Sequence, residues 1–296
     1  MTKTSFYLFL AVLFWGFSYI AIKVCLTELE PVEMISARLL MASPVLYIIA
    51  RLTGRSIWVK EKRVKLGFAA LVVFLHFWVM ATGMKDTSAS NTAWILTTAP
   101  IFIALLSWFA LKEPFTLWQW LGLAIACAGV FALVSNGKLE NLGWIKSRGD
   151  LIVLGSCVTW AFYTVGVRDI TRAVDPLVTT FWISTLAGVV FVPYTLFTTG
   201  VHKYLTLQGT TVFALVFLGV CCFALAFWLW SEGLRRQPAG EVGVYLYLEP
   251  LFAMIGGWMI LHEPVTIWLF IGAALISLGV YLSEKFGRMK LVEHDA

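Results

Sequence analysis

One acidic side chain, Glu249, stands roughly midway through an apolar stretch running from Val242 to Leu261. A carboxyl group in hydrocarbon costs several kcal/mol unless it faces a polar cavity or a partner, so Glu249 is expected to point inward. There it can hold an ammonium group, or take up and release a proton. The structural alternative is a carboxyl that stays protonated or caps a backbone amide near Pro250. Tyr245 lies four residues earlier, so helical spacing puts it on the same face. Asn91, Trp94 and Thr98 follow helical spacing along one side of another apolar stretch, and the two faces can meet across a cavity.

Aromatic and hydroxyl groups recur nearby. Trp15, Ser18 and Tyr19 occupy the first apolar segment, and Trp160, Tyr163 and Thr164 occupy the sixth. Such walls suit an amphipathic solute, and an aromatic face also holds cations. The chain has 14 tryptophans, and interfacial belts and core packing compete for each of them. Arg38 sits about one turn into the second segment. It can snorkel to the outer surface in a structural role or bind a substrate carboxylate. His76 reads either as a proton relay or as a hydrogen-bonded core histidine. Pro100 and Pro250, inside the fourth and ninth segments, each remove a backbone donor and bend a helix, as a hinge pair or as static kinks.

Chemistry of other kinds is poorly provided for. His262-Glu263-Pro264-Val265-Thr266 is not a zinc-binding H-E-x-x-H, and no G-x-S-x-G, Walker A or G-x-G-x-x-G sequence occurs. Cys25, Cys127, Cys157, Cys221 and Cys222 lack ligand spacing and read as small core residues. No catalytic residue, metal site or cofactor is therefore expected.

The elements that position these residues are spanning helices. Apolar residues make up 60% of the chain and charged residues 13%, with a mean hydropathy of +0.84. Ten segments approach the roughly 20 residues a bilayer requires. Their cores are Phe6 to Leu26, Met34 to Leu52, Leu66 to Met84, Ala93 to Leu111, Leu117 to Val134, Leu151 to Val167, Leu177 to Phe197, Val212 to Trp230, Val242 to Leu261 and Val265 to Leu282. The first is longer than a signal-peptide core, lacks a cleavage site after Cys25, and is expected to remain attached.

The segments form two copies of one unit. Phe14-Trp15-Gly16-Phe17, Lys23 and Glu30-Pro31 return 145 residues later as Thr159-Trp160-Ala161-Phe162, Arg168 and Asp175-Pro176. Gly83, Pro100, Glu113-Pro114, Trp118, Gly122 and Gly129 return at a spacing of 150 as Gly233, Pro250, Glu263-Pro264, Trp268, Gly272 and Gly279. Five spans per copy is an odd number, so the second copy enters the bilayer reversed. The expected division is a first repeat over 1–135, a linker over 136–150, a second repeat over 151–284 and a tail over 285–296. Small residues at Gly122 and Gly129, and at Gly272 and Gly279, permit close helix approach within the protomer or across a homodimer. Glu113 and Glu263 open tight connections where loop, cap and gating roles compete. Thr116 and Gln119 have capping-box spacing.

Basic residues set the orientation. Placing the cluster Arg51, Arg55, Lys60, Lys62, Arg63 and Lys65 on the cytoplasmic side puts 15 Lys and Arg there and 6 outside. Both termini are then cytoplasmic, in a multi-pass protein of the cell (inner) membrane. This asymmetry accounts for the net charge of +5 without a nucleic-acid partner.

The pattern resembles the drug/metabolite transporter superfamily, specifically its EamA-type ten-helix members. The resemblance rests on Leu13-Phe14-Trp15-Gly16-Phe17-Ser18, Arg38, Thr98-Ala99-Pro100-Ile101-Phe102 and Lys112-Glu113-Pro114, with Tyr247-Leu248-Glu249-Pro250-Leu251-Phe252-Ala253 and Leu261-His262-Glu263-Pro264 in the second copy. It implies an all-α membrane protein of two intertwined five-helix repeats around a central cavity, with the fifth and tenth helices peripheral. It further implies alternating access and export of small amphipathic metabolites such as amino acids, with a small-molecule substrate and the lipid bilayer as partners and a proton as candidate coupling ion. A membrane channel or small-molecule receptor is the alternative.

Overall fold

The computed structural model describes residues 2–113, 115–135, 147–261 and 267–287. Pro114, most of the 136–150 linker, His262, Glu263, Pro264 and Thr266, and the tail from 288 onward lie outside the described residues. Every described element is a helix.

The helices are α1 (Lys3–Cys25), α2 (Pro31–Leu52), α3 (Arg63–Lys85), α4 (Ala89–Leu96), α5 (Ala99–Leu111), α6 (Leu117–Ser135), α7 (Arg148–Thr171) and α8 (Pro176–Thr199). Then follow α9 (Val201–Leu205), α10 (Gly209–Val216), a π-helical stretch (Phe217–Leu225), α11 (Ala226–Arg236), α12 (Ala239–Gly243), a 3₁₀ stretch (Val244–Leu248), α13 (Glu249–Leu261) and α14 (Ile267–Gly287). Seven continuous stretches are long and apolar enough to cross a bilayer, and Leu117–Ala132 of α6 is a shorter apolar one.

Starts and stops follow from local chemistry. Glu30 and Glu33 form a reciprocal capping box before α2, with Pro31 in its first turn. Ser147 and Asp150 do the same for α7, and the Asp175 carboxylate accepts from Leu177 and Val178 ahead of Pro176 in α8. At α6 the expected Thr116 and Gln119 box is present: Thr116 N donates to Gln119 Oε1 at 2.6 Å and Gln119 N to Thr116 Oγ1 at 3.3 Å.

Two spans tighten locally just before Pro100 and Pro250. Helix α4 ends before Thr97 and Thr98, whose hydroxyls donate to the Trp94 and Ile95 carbonyls at 2.7 and 2.9 Å. Pro100 then falls in the first turn of α5, where its missing N–H costs little. In the later span the backbone tightens to 3₁₀ over Val244–Leu248 and relaxes to α at Glu249, which puts Pro250 in the first turn of α13. Each proline thus follows a locally tightened turn within its span. The π-helical stretch between α10 and α11 had no signal in the sequence.

Packing is dominated by α6 against α14, α3 against α7 and α2 against α8, with α1 lying among α10, the π stretch, α11 and α13. Small residues set these distances. A Cβ added to Gly122 would lie 2.5 Å from the Gly279 carbonyl oxygen, and one added to Gly129 would lie 2.9 Å from that of Gly272. The recurring glycines thus close a seam within the chain between α6 and α14. Between α2 and α8, hydroxyls replace small residues: Ser36 and Thr195 share a hydrogen bond at 2.7 Å, and Ser43 donates to Ser184 at 3.1 Å.

This seam is testable. Gly279→Val forces α6 and α14 apart and destabilises the protein by about 3 kcal/mol, read as a lower thermal-unfolding midpoint in detergent. Gly155→Ala, which meets nothing within 4 Å, leaves the midpoint level or higher. Equal midpoints for the two variants would refute the assignment.

Candidate functional site

A cavity of about 50 Å³, room for a few waters, opens among the helices. Trp15, Ser18 and Tyr19 of α1, Arg38 of α2, and His76, Phe77 and Met80 of α3 line it. Leu96 and Ala99 at the α4–α5 break, Trp160 of α7, Phe227 of α11, Leu246 of the 3₁₀ stretch and Glu249 of α13 complete the wall. Larger grooves, of about 250 to 370 Å³, are lined mostly by apolar side chains.

Glu249 is placed by a glycine. A Cβ on Gly16 would lie 2.9 Å from the Glu249 carbonyl oxygen and 2.5 Å from Phe252 Cβ, so only glycine lets α1 approach α13 this closely. The approach brings Tyr19, one turn along from Trp15, to the carboxyl group, and the Tyr19 hydroxyl donates to Glu249 Oε2. Both side chains are buried.

Trp15 holds the opposite wall. Its Nε1 donates at 2.9 Å to the Cys222 carbonyl within the π-helical stretch, and its ring meets Trp160 edge-on at 5.2 Å. A wide π turn disturbs the regular backbone ladder, and the indole here supplies an extra donor. Trp160 in turn packs on His76 at 5.0 Å. His76 Nδ1 lies 3.0 Å from the Ser156 carbonyl oxygen, an obligate acceptor, so Nδ1 carries the proton.

Arg38 departs from the snorkelling geometry open to it. The side chain is 1% exposed, its guanidinium lies 4.2 Å from the Phe77 ring centroid, and Nε and Nη1 have no hydrogen-bond partner. It shares the cavity with Glu249 yet forms no ion pair with it.

Of the residues singled out from sequence, Glu249, Trp15, Tyr19, Trp160, Arg38 and His76 meet at this cavity. Tyr163 stands one layer back, stacked on Trp160 at 5.2 Å. Tyr245 turns away, its hydroxyl donating to Glu284 Oε2 of α14 at 2.8 Å. The 3₁₀ winding explains this, because about 120° per residue separates positions four apart that an α-helix would align. Asn91 donates to Asp150 Oδ1 of α7 at 2.6 Å, and Trp94 packs against Phe131 of α6 at 5.0 Å. Thr98 bonds to Cys157 Sγ at 3.4 Å beside the break in its span. Phe77, Met80, Leu96, Phe227 and Leu246 complete the wall without having been foreseen. They are ordinary apolar residues, and only helix rotation distinguishes them from lipid-facing neighbours.

A second polar cluster lies at one end of the bundle. The Glu113 carboxylate accepts from Arg168 Nε and Arg172 Nη2, each at 2.8 Å, from Ser107 Oγ at 2.7 Å and from the Ala239 backbone N–H at 2.9 Å. Arg168 also donates to the Leu234 and Arg235 carbonyls. Burial alone would raise the Glu113 pKa, but the bonds from Arg168, Ser107 and Ala239 outweigh it and hold the carboxyl below its usual range. Glu113 therefore ties the α5–α6 connection to the end of α7 and the start of α12.

A helical bundle, apolar outside and reserving a buried carboxyl and an unpaired guanidinium for an inner cavity, is a polytopic membrane protein with an internal polar site. More particularly, the chain belongs to the EamA-like transporter family, whose profile matches residues 2–135 and 147–284. An uncharacterized transporter of Archaeoglobus fulgidus is 30% identical over 289 residues, covering 95% of this chain and 97% of its own. The uncharacterized transporter YoaV of Bacillus subtilis is 23% identical over 295 residues, covering 98% of this chain and 100% of its own. A probable amino-acid metabolite efflux pump of Escherichia coli is 23% identical over 283 residues, covering 93% of this chain and 92% of its own. A crystal structure at 19% identity shares the fold, with a TM-score of 0.76 over 97% of this chain and 98% of its own. The protein is thus a transporter of this family.

The Glu113 cluster fixes a pH dependence. Because its folded pKa is depressed, the carboxylate adds stability above its unfolded pKa of about 4.3 that disappears as pH falls through the folded value. Glu113→Ala leaves the Arg168 charge uncompensated and costs about 3 kcal/mol at neutral pH. Unfolding midpoints of wild type and variant converge as pH falls through the depressed folded value. A gap that persists unchanged in acid would exclude the ionised carboxylate as its source.

Proposed function

We propose that the protein is a secondary transporter, working as an exporter, of small amphipathic metabolites such as amino acids. It exposes one central cavity alternately to the two sides of the cell membrane. The observation that carries this reading is the cavity itself, in which a buried carboxyl is held by a tyrosine between aromatic walls drawn from both halves of the chain. The kinship with a probable amino-acid metabolite efflux pump agrees in class.

Ten spans in two inverted five-helix repeats, divided at 1–135 and 151–284, supply the machinery. Support comes from contacts that survive exchange of the halves. Trp15 touches its counterpart Trp160. Gly83 packs on Val153, and their counterparts Gly233 and Leu8 pack on each other. Gly122 meets Gly279 while Gly129 meets Gly272. Lys23 donates to the Met84 carbonyl, and Arg168 to that of Leu234. Each contact maps onto another, or onto itself, under the 145- and 150-residue offsets.

With both termini cytoplasmic, the Glu113 cluster lies on the inner side and closes it, while Pro100 and Pro250 mark the hinges. Glu249 is the coupling residue, exchanging a proton or an ammonium with Tyr19 as its partner in the resting site. His76 and Arg38 complete the polar groups. The α6–α14 seam engages the glycine surfaces within one chain, so a homodimer would pair through other faces.

Reconstituted in sealed vesicles, the wild-type chain should accumulate or exchange a labelled member of a panel of amino acids, amines and metabolites under an imposed gradient. Glu249→Gln should reduce initial rates at least about tenfold, while Glu263→Gln stays near wild type and both variants fold. Equal rates for the two variants remove Glu249 from the mechanism. Transport of no compound by the wild type defeats the carrier reading. For orientation, single cysteines near each terminus should both react with impermeant reagent only after the cytoplasmic face is exposed. Termini on opposite faces would contradict the inverted arrangement.

A further inference from the structure

Glu249 and Arg38, which share the cavity, are in different states of satisfaction. Glu249 has a donor in place, the Tyr19 hydroxyl. Arg38 has none for Nε or Nη1, although it is among the most deeply buried side chains. Its neighbours cannot supply an anion. Phe77 and Phe223 offer ring faces at 4.2 and 5.8 Å, and His76 is committed to the Ser156 carbonyl. A guanidinium is a permanent cation with a planar fork of donors, and in a low-dielectric site its unused donors are matched by a planar two-oxygen anion. The free volume, about 50 Å³, admits a group of that size before the aromatic walls part for anything larger.

Building on the transporter reading above, we propose that Arg38 is the anchor for a carboxylate on the transported solute, so the site takes acids and zwitterions and rejects compounds that carry only a positive charge. The carboxylate docks on the guanidinium fork. The body of the solute lies between Phe77, Trp15 and Trp160, and an ammonium, where present, faces Glu249. Recognition then begins with the anion, because Arg38 Nε and Nη1 are the donors without a partner.

The test uses the purified full-length chain with glycine, leucine, phenylalanine, glutamate and lysine, the carboxamide of each, and the desamino acid analogues of leucine and phenylalanine. Thermal shift in detergent reads binding, and counterflow in vesicles reads transport. Wild type should bind at least one acid of the series, together with its desamino analogue where that is in the set, and should bind the matching carboxamide at least about tenfold more weakly. Arg38→Gln should lose that preference, and Arg38→Lys should keep part of it as a point charge. The wild-type comparison stands even if Arg38→Gln fails to fold. Carboxamides binding as tightly as acids, acids failing to bind wild type, or Arg38→Gln retaining the acid preference would each overturn the proposal. Transport of amines or amides without acids would leave the carrier intact and remove the anchor. Acid binding that depends on Arg38 without any transport would keep the anchor and remove the carrier.

Discussion

The closest approach that matters in this molecule is between α1 and α13 at Gly16. Without a side chain there, the backbone of α1 rests against the Glu249 carbonyl and the start of α13. That single contact aligns three things. It sets Tyr19 beside the Glu249 carboxyl, it places Trp15 where its indole reaches the π-helical stretch, and it brings both into one cavity. In hydrocarbon a polar group that misses its partner costs several kcal/mol, so the separation of α1 and α13 decides whether Glu249 is tolerable. A methyl group at position 16 would change that separation before it changed any chemistry.

Irregular backbone gathers around the same cavity. The α4–α5 break, the 3₁₀ stretch before α13 and the π-helical stretch before α11 each contribute wall residues or border one. Side chains supplement the backbone bonding there: the Thr97 and Thr98 hydroxyls donate to carbonyls that their own N–H groups also reach, and the Trp15 indole donates at the π stretch. Lipid could not have supplied these donors. Irregularity is confined to the bundle interior because only there can side chains or water complete the bonding.

Much of this was legible from sequence, for identifiable reasons. The Thr116–Gln119 spacing announced the cap that opens α6, and spans follow from apolar length. Glu249, Tyr19, Trp15 and Arg38 declared themselves as polar or amphipathic groups in apolar surroundings, and a membrane leaves such groups few places to go. Tyr245 was misaligned because periodicity assumes 3.6 residues per turn, whereas the backbone winds more tightly just before Glu249. Asn91 was assigned to the cavity side of its helix but meets Asp150, a residue 59 positions away whose proximity no local spacing encodes. Arg38 was open to snorkelling on depth alone. Its burial follows from α2 packing against α8 and the π stretch, a tertiary fact.

The two ends of the bundle are closed by related residues with unequal strength. Lys23 and Arg168 occupy corresponding places and both reach a carbonyl at the end of a neighbouring helix. A lysine ammonium does so as a point charge, whereas the arginine fork spans two carbonyls and the Glu113 carboxylate together. Glu113 in turn collects Arg172, Ser107 and the Ala239 amide, so these bonds are coupled through one carboxylate. Separating α7 from the α11–α12 connection breaks several charge-assisted hydrogen bonds at once, each about twice as strong as a neutral one. On the transport reading, opening the Glu113 end is therefore the demanding half of the cycle. The energy for it has to come from interactions gained elsewhere.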